Sequence, residues 1–278
     1  MKKILSCVIM LFVLSASFAQ TFSLIKSDQN QDTRKELISS NISSTIIKFT
    51  VNSFELKDVI TPKGNSSLLV ASKATPLLIK DAPDVLKLTS SFIIPNESNM
   101  KVEVLSSSYR DFPNIDLAPS KGNLTRDIDP GSIPYVFGAD YKKDQFFPGK
   151  LAELNRPYIL NDYRAQSALV YPFQYNPVSK VLRVYYEIEV KISIDQSKKP
   201  ENVLAKTDFP EKISEDFYSI YERRFINFKS LKYTPLKDHG KMLIISHSNY
   251  IAAMQPFIKW KIASGIPVEI VDVATIGV

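Results

Sequence analysis

Cysteine is nearly absent from this chain, since Cys7 is the only one among 278 residues. It lies within the first nineteen residues, a stretch that reads as a removable leader. Without Cys7 the remaining chain forms no disulfide and offers no thiolate nucleophile. Its fold therefore depends on a buried core, which a chain of this length can form.

Histidine and long apolar runs are also scarce. His239 and His247 are the only histidines, and with no cysteine left after residue 19 a transition-metal site is not expected. His247 follows an apolar run, and a role at a helix entry is expected for it before a catalytic one. No run is long enough to cross a bilayer once the leader is gone.

Net charge is small and dispersed. The formal charge of +6 falls to +4 when Lys2 and Lys3 leave, with 33 basic residues against 29 acidic ones. Basic residues are interleaved with acidic ones instead of forming a stripe, so nucleic acid is not an expected partner.

The first nineteen residues have the order of a secretory signal peptide. Lys2 and Lys3 precede an apolar run from Ile4 to Val13, and Ser17 and Ala19 supply small residues before Gln20. We expect cleavage after Ala19 and export of the remaining chain to the extracellular space or the cell surface.

Period-two alternation dominates the middle of the chain. Residues 182–194, LRVYYEIEVKISI, place Leu182, Tyr186 and Ile192 on one face and polar residues on the other. Asn176-Pro177 before this run predicts a hairpin turn. Similar runs occur at 44–56, 67–72, 89–95 and 101–109, so an antiparallel β-sandwich is the predicted fold of residues 20–229.

Helical periodicity appears only near the end of that span. Residues 210–229 place Ile213, Phe217, Ile220, Tyr221, Phe225 and Phe228 at three- and four-residue steps, which predicts an amphipathic helix closing the β-rich part. Residues 230–240 lack an apolar period and contain Pro235 and Gly240. We interpret them as an exposed linker.

Residues 241–278 have the pattern of a βαβ unit. MLIIS (242–246) reads as a strand covered on both faces, Ser248 as a helix cap, Gly265 as a helix stop, and PVEIVDV as the second strand. Pro256 predicts a kink, or a helix starting nearer Gln255. Such a unit leaves apolar surface uncovered, so we expect it to be the incomplete beginning of an α/β domain.

Several long motifs in one order resemble the pro-segment of the gingipain family of bacterial cysteine endopeptidases. They are IPYVFGADYKKDQFFPGKLAEL (133–154), RPYILNDYRAQSALVYPFQYNPVSKVLRVYYEIEV (156–190) and FYSIYERRFINF (217–228). Residues 233–271 resemble the start of the mature catalytic domain. The resemblance implies a secreted zymogen with a β-sandwich pro-domain before a caspase-like domain, in which the peptidase uses a His and Cys pair lying beyond residue 278.

Two sites follow from this resemblance. Lys232 directly precedes Tyr233, where a gingipain-like mature enzyme would begin, so maturation is expected at the Lys232–Tyr233 bond, with Arg224, Lys229 and Lys237 as alternatives. Arg126 lies in a loop bounded by Gly and Pro, and it is the candidate for the basic side chain that blocks the specificity pocket. The alternative is an ordinary surface arginine.

The predicted function is thus an inhibitory and folding-assisting pro-region, with no hydrolysis by this chain itself. Its expected partners are the cognate peptidase domain and a processing protease. No cofactor is expected in this chain, and calcium in the full-length enzyme stays open. The alternative function is a secreted β-sandwich module for binding or adhesion, for which Tyr171, Phe173, Tyr175, Tyr185 and Tyr186 would form a stacking platform. Alternation instead places Tyr186 in the core and Tyr185 on the wet face.

Overall fold

The computed structural model describes residues 20–24, 32–205, 212–230, 234–236 and 241–277. The signal peptide, Lys232, Tyr233 and His239 lie outside the described residues. The strands are β1 (Gln20–Ser23), β2 (Arg34–Ser40), β3 (Ser44–Thr50), β4 (Ser53–Thr61), β5 (Gly64–Val70), β6 (Thr75–Pro76), β7 (Leu86–Ile93), β8 (Met100–Phe112), β9 (Ala152–Leu154), β10 (Tyr158–Leu160), β11 (Tyr163–Val170), β12 (Phe173–Asn176), β13 (Val181–Ile194), β14 (Lys212–Ser214), β15 (Thr234–Leu236), β16 (Met242–Ser246) and β17 (Val268–Asp272). The helices are α1 (Glu215–Arg224) and α2 (Ser248–Ala263).

Two antiparallel five-stranded sheets form the predicted sandwich. One has the order β12-β13-β3-β2, with β8 also paired to β13, and the other has the order β10-β11-β7-β6, with β9 also paired to β11. Their apolar residues form one core cluster, to which β4 and β5 of a third sheet, ordered β1-β4-β5, also contribute. Burial of this cluster is the main stabilising term of the fold.

β13 is the longest strand of the sandwich, and its alternation is largely as predicted. Leu182, Val184, Ile188, Val190 and Ile192 are all buried. The prediction was wrong for Tyr185, which is only 8% exposed, whereas Tyr186 is half-buried against the core. The physical reason is a register shift between Tyr185 and Glu187 in the pairing with β8, because a bulge interrupts strict alternation.

The predicted hairpin turn is present, but its first arm is shorter than the sequence suggested. β12 pairs with β13, and the Asn176 side chain accepts from the amides of Val178 (3.0 Å) and Ser179 (3.2 Å). The preceding strand β11 pairs with β7 in the opposite sheet. The run at 44–56 likewise divides into β3 and β4.

The closing helix is confined to Glu215–Arg224, so the predicted range of 210–229 was too long. Ser214 caps the helix by accepting from the Phe217 amide (3.4 Å), and its preceding residues form β14. Tyr221 is buried, whereas Ile220 is 46% exposed and does not belong to the apolar stripe. After the helix the chain turns back to the sheet, where the Ile226 amide donates to the Ser91 carbonyl (3.0 Å).

A second apolar cluster joins α1 to the sandwich. It brings the helix residue Tyr221 against Tyr163 of β11, with ring centroids 4.9 Å apart and nearly perpendicular planes. The Tyr221 hydroxyl donates to Asp162 Oδ2 (3.0 Å). The other buried members of this second cluster are Ile93, Ala165, Ile213, Phe225 and Phe228. Aromatic packing of this kind fixes α1 on the sheet.

Arg164 is an inaccessible cation in the middle of this arrangement. Its side chain is 0% exposed, and its guanidinium donates to the carbonyls of Pro95 (2.7 Å), Ser98 (2.6 Å), Glu201 (2.6 Å) and Asn202 (2.9 Å). Burial lowers the pKa of the Arg164 guanidinium, and the four carbonyl dipoles compensate the charge. One side chain thereby ties β11 to two separate loops.

Residues 241–277 form the predicted βαβ unit as a separate two-stranded sheet. β16 and β17 pair in parallel through α2, and neither strand joins a sheet of the sandwich. Gly265 follows the helix with a φ of 85°, as a helix stop requires. Two local details differ from the expectations. α2 begins at Ser248 and runs through Pro256, so the expected start nearer Gln255 is wrong, and its cap is His247, whose ring nitrogen accepts from the Asn249 amide. Because the His247 side chain satisfies that amide, Ser248 is free to start the helix itself.

The Arg164 contacts predict a large loss of stability for Arg164→Met. The buried Arg164 side chain would be lost and four backbone carbonyls would lose their donor, so we expect unfolding in urea to require about 3 kcal/mol less free energy. Arg156→Met is the matched control, because Arg156 makes only an exposed ion pair with Glu201 (3.1 Å). The control should change stability by less than about 1 kcal/mol. Equal losses in the two variants would contradict the role of Arg164.

Candidate functional site

The candidate inhibitory residue, Arg126, lies in the long connection between β8 and β9. Residues 113–151 contain no strand in this connection, only isolated bridges and the two 3₁₀ turns Pro130–Ser132 and Ala139–Lys142. The ends of the connection are bonded to the sandwich, whereas residues 125–132 are all exposed. A long connection of this kind is usually either functional or unstructured. The hydrogen bonds that hold its two ends to the sandwich distinguish these two possibilities.

The first anchor lies at residues 117–120, which are all buried. The Ala118 amide donates to the Ser67 carbonyl (2.9 Å), and the Ala118 carbonyl accepts from the Asp84 amide (3.1 Å). The Ser120 amide donates to the Ala82 carbonyl (2.8 Å). The connection therefore enters between two other segments as an additional bonded strand would.

The second anchor lies at residues 144–150 and uses side chains of β12. Phe147 and Tyr175 exchange backbone hydrogen bonds of 2.9 Å in both directions. The Gln174 side-chain amide donates to the Pro148 carbonyl (2.7 Å), and the Asn176 side-chain amide donates to Asp144 Oδ1 (2.8 Å). Both ends of the connection are therefore held by the sandwich.

Two tyrosines reinforce the first anchor from below. The Tyr141 hydroxyl donates to the Leu117 carbonyl (2.8 Å), and the Tyr175 hydroxyl donates to the Ile115 carbonyl (2.8 Å). Burial raises the pKa of Tyr175 to about 12 and raises the pKa of Tyr141 as well. Both phenols therefore stay protonated and keep donating at physiological pH.

Asp84 adds a carboxyl group to the same base. Burial raises the pKa of the Asp84 carboxyl above its ordinary value, and a hydrogen bond from Ser120 opposes this shift. The carboxyl group thus lies in a partly desolvated position beside Ser120 of the first anchor.

Gly138 lies in close backbone contact with Asp81. Its amide donates to the Asp81 carbonyl (2.8 Å), and a Cβ at this position would lie 2.8 Å from the same oxygen. Only glycine allows this approach. The motif at 133–154 thus contains a residue whose identity the structure explains.

Arg126 itself lies at the exposed end of the connection, where the sequence analysis placed it. The Ile128 amide donates to the Thr125 carbonyl (3.1 Å), so Arg126 and Asp127 are the central residues of a β-turn. The guanidinium is exposed, and no described residue makes an ion pair with it. A basic side chain is therefore presented at the tip of a loop whose base is fixed.

The proposed processing bond, Lys232–Tyr233, lies outside the described residues, but structure surrounds it. On one side, the Asn227 side chain accepts from the Ile93 amide (2.8 Å) and donates to the Ile93 carbonyl (3.0 Å), which fastens the chain to β7. On the other side, β15 pairs in parallel with β14. Of the alternative cleavage positions, Arg224 ends α1 and Lys229 lies in a 3₁₀ turn.

Metal ligands do not cluster within the residues that the structure describes, where no group of three or more His, Asp or Glu side chains could hold an ion. A cavity of about 710 Å³ is lined by Arg34, Lys35, Glu36 and Lys73 beside apolar residues. No helix among the described residues is long and apolar enough to cross a membrane.

The fold and the fastened loop agree with a propeptide class of protein. The family model Propeptide_C25 matches residues 26–237, and the chain belongs to this family. The resemblance found in the sequence is therefore confirmed: the chain contains a gingipain-type pro-segment.

Curated relatives from Porphyromonas gingivalis agree with this assignment. Gingipain R1 is 36% identical over 236 residues, which is 84% of this chain and 23% of that protein. Gingipain R2 of strain ATCC 33277 is 31% identical over 272 residues, covering 97% of this chain and 36% of that protein. The chain thus spans a minor part of the length of its relatives.

Solved structures agree as well. The complex of the RgpB pro- and mature domains of P. gingivalis contains a chain that is 32% identical, with a TM-score of 0.65 and coverage of 73% of this chain and all of that one. A structure on the zymogenic latency of gingipain K, 21% identical with a TM-score of 0.55, shares the fold over 64% of this chain.

Sequence reasoning missed the residues that fix the loop and the chain end. Arg164, Gln174 and Asn227 are polar side chains that bond to distant backbone groups, and spacing along one element does not identify such partners. These three residues, like Tyr175 and Gly138, lie inside the motifs at 133–154, 156–190 and 217–228, which was the one available indication that they matter.

Gly138→Ala tests whether the loop depends on close approach to Asp81. The added methyl group would meet the Asp81 carbonyl at 2.8 Å, so we expect a loss of about 2 kcal/mol in urea unfolding. Gly149→Ala is the control, because its nearest atom would be 3.9 Å away. If both variants unfold like the parent chain, the close approach carries no constraint.

Proposed function

We propose that residues 20–229 act as the inhibitory and folding-assisting pro-region of a secreted gingipain-like cysteine endopeptidase. Family membership carries this proposal, and the fastened loop supports it. The signal peptide at 1–19, the linker at 230–240 and the start of the peptidase domain at 241–278 complete the organisation that we propose. Residues 241–277 lie beyond the family match, while the gingipain R2 match covers 97% of the chain.

Inhibition would work through Arg126. Its guanidinium would enter the specificity pocket of the peptidase and pair with a carboxylate there, which suits the planar, two-pronged donor geometry of arginine. A loop bonded at both ends loses little conformational entropy when it binds, so a larger share of the contact energy appears as affinity. The solved complex of the RgpB pro- and mature domains supports a partner of this kind.

Assistance in folding would come from the finished core of the sandwich. The sheets of residues 32–205 close their own core, whereas Leu243 is 57% and Ile245 is 55% exposed on β16. A pro-region that folds first can present a surface on which the less complete unit assembles. The peptidase domain is thus the expected partner of this chain.

Maturation would cut the Lys232–Tyr233 bond. Arg224 and Lys229 lie in helical structure, and Lys229 also pairs with Glu222 (2.7 Å), so cutting there requires local unwinding. Lys232 lies between the 3₁₀ turn Phe228–Ser230 and β15, and Lys237 is outside the described residues. A processing protease that prefers basic residues would suit this position.

The chain by itself should hydrolyse nothing. It contains no cysteine after residue 19, and His247 is engaged as a helix cap. The peptidase activity, with its His and Cys pair and any calcium ion, would belong to polypeptide outside this sequence. Export to the cell surface or the extracellular space follows from the proposed signal peptide.

The alternative of a binding or adhesion module is not favoured. A carbohydrate platform needs exposed aromatic rings, but Tyr171, Phe173, Tyr175 and Tyr185 are all buried. The family assignment also points to a propeptide.

Arg126→Ala tests the proposed inhibition. The chain without its signal peptide is added to the mature domain of gingipain R2, and hydrolysis of a short peptide substrate is followed. Loss of the anchor should raise the inhibition constant about 100-fold. The control Arg156→Ala removes an exposed arginine elsewhere and should leave inhibition intact. Unchanged inhibition by Arg126→Ala would refute the assignment of Arg126.

The processing site is tested by N-terminal sequencing of the carboxyl-terminal fragment. Brief treatment of the chain with a protease that cuts after Arg and Lys should give a fragment that begins at Tyr233, and Lys232→Gln should abolish it. Lys237→Gln is the control and should still give the Tyr233 fragment. A first cut outside residues 225–242 would refute the linker.

A further inference from the structure

The loop that carries Arg126 is closed by a lysine at its base. Lys121 Nζ donates to the Pro130 carbonyl (2.7 Å) and lies 4.2 Å from the centroid of the Tyr135 ring. Lys121 therefore bridges both ends of residues 122–130, a segment with Arg126 at its centre. A cation held by a carbonyl and an aromatic face is a fixed donor and not a freely rotating surface lysine.

Further bonds close the loop inside this bridge. The β-turn bond from the Ile128 amide to the Thr125 carbonyl (3.1 Å) encloses the Arg126–Asp127 peptide. Hydrogen bonds from the Thr125 hydroxyl and from its own amide hold the pKa of the Asp127 carboxyl below its ordinary value. Thr125 and Asp127, the residues directly before and after Arg126, are thus hydrogen-bonded to each other.

The end of the loop is also fixed. Asp129 Oδ1 accepts from the Gly131 amide (2.9 Å), and the Ser132 hydroxyl donates to the Asp129 carbonyl (2.7 Å). These bonds reinforce the 3₁₀ turn Pro130–Ser132, which orients the Pro130 carbonyl. The acceptor for Lys121 is therefore itself held in place.

An exposed arginine at a loop tip is ordinarily a preferred cleavage site. Cleavage requires that the scissile carbonyl reach a near-attack position against the nucleophile, and reacting groups must be aligned closely. A peptide bond closed in a β-turn reaches that position only when the turn opens. Any group that keeps the turn closed therefore slows cleavage without removing the arginine from the surface.

We propose that Lys121 is a positioning residue that latches residues 122–130, so that Arg126 is presented to a basic-specific pocket while the Arg126–Asp127 bond is withheld from hydrolysis. The loop then binds as a substrate would and is consumed slowly. The role of this latch in inhibition rests on the proposed function, but the latch itself does not.

Trypsin tests the latch without the cognate peptidase, because it cuts after any accessible Arg or Lys. The rate of cleavage at Arg126–Asp127 in the 278-residue chain is measured by mass spectrometry and divided by the rate in a synthetic peptide of residues 119–135. Cleavage at Lys191–Ile192, within β13, reports global unfolding of the same sample.

Lys121→Met should raise cleavage at Arg126–Asp127 about tenfold, the equilibrium weight of one charge-assisted hydrogen bond, with no change at Lys191–Ile192. Lys121→Arg, which keeps a cationic donor over Tyr135, should restore most of the protection. Lys142→Met is the matched control, because Lys142 is an exposed lysine in the same connection. It should cleave at the parent rate.

Three results would overturn the latch. They are an unchanged rate at Arg126–Asp127 in Lys121→Met, an equal rise in Lys142→Met, or a rise that Lys121→Arg fails to reverse. A parallel rise at Lys191–Ile192 would also overturn it, since Lys121 would then stabilise the whole fold and not the loop. The proposed function is judged separately, because only Arg126→Ala with gingipain R2 tests the pocket.

Discussion

The fold depends on satisfying the backbone of the long connection between β8 and β9. A strand-free segment of this length leaves many amide and carbonyl groups that water or protein must satisfy. The first anchor meets this requirement by inserting residues 117–120 between Ser67 and Ala82–Asp84. The second anchor meets it through β12. The sandwich thus serves as a rigid support for one exposed loop.

This division explains why polar side chains are buried where they are. Arg164 and Gln174 both donate to backbone carbonyls, and each joins a sheet strand to irregular chain. Buried polar groups are tolerated when their partners are fixed, and here they fix the partners in turn. The apolar core supplies most of the stability, while these few contacts determine where the irregular segments lie.

The sequence predicted the parts of the fold that depend on local pattern. The alternation of β13, the Asn176 turn and the βαβ unit at 241–278 follow from spacing along one element, and the structure contains all three. The helix at 210–229 was predicted too long because apolar spacing continues past Arg224. There, pairing of Ile226 with Ser91 overrides helical preference.

The misplaced details have similar causes. Tyr185 is buried because the strand pair shifts register, and a shift in pairing cannot be read from one strand alone. The cap of α2 is His247 and not Ser248 because the helix begins one residue earlier than predicted, and helix ends are rarely predicted to the residue. Arg126 was found through its loop and a family resemblance, whereas Lys121 at the base of that loop contacts the Pro130 carbonyl and the Tyr135 ring, which the sequence does not place beside it.

Asn227 has a consequence for what happens once the two halves of a precursor are separated. The Asn227 side-chain amide accepts from the Ile93 amide and donates to the Ile93 carbonyl, as the backbone of a neighbouring strand would. It thereby satisfies the last residue of β7 only a few residues before the linker. A new carboxyl end created in that linker would lie a few residues after these two hydrogen bonds. The separated sandwich would consequently not begin to unfold at its new carboxyl end, and its degradation would require proteolytic cleavage at another place on its surface.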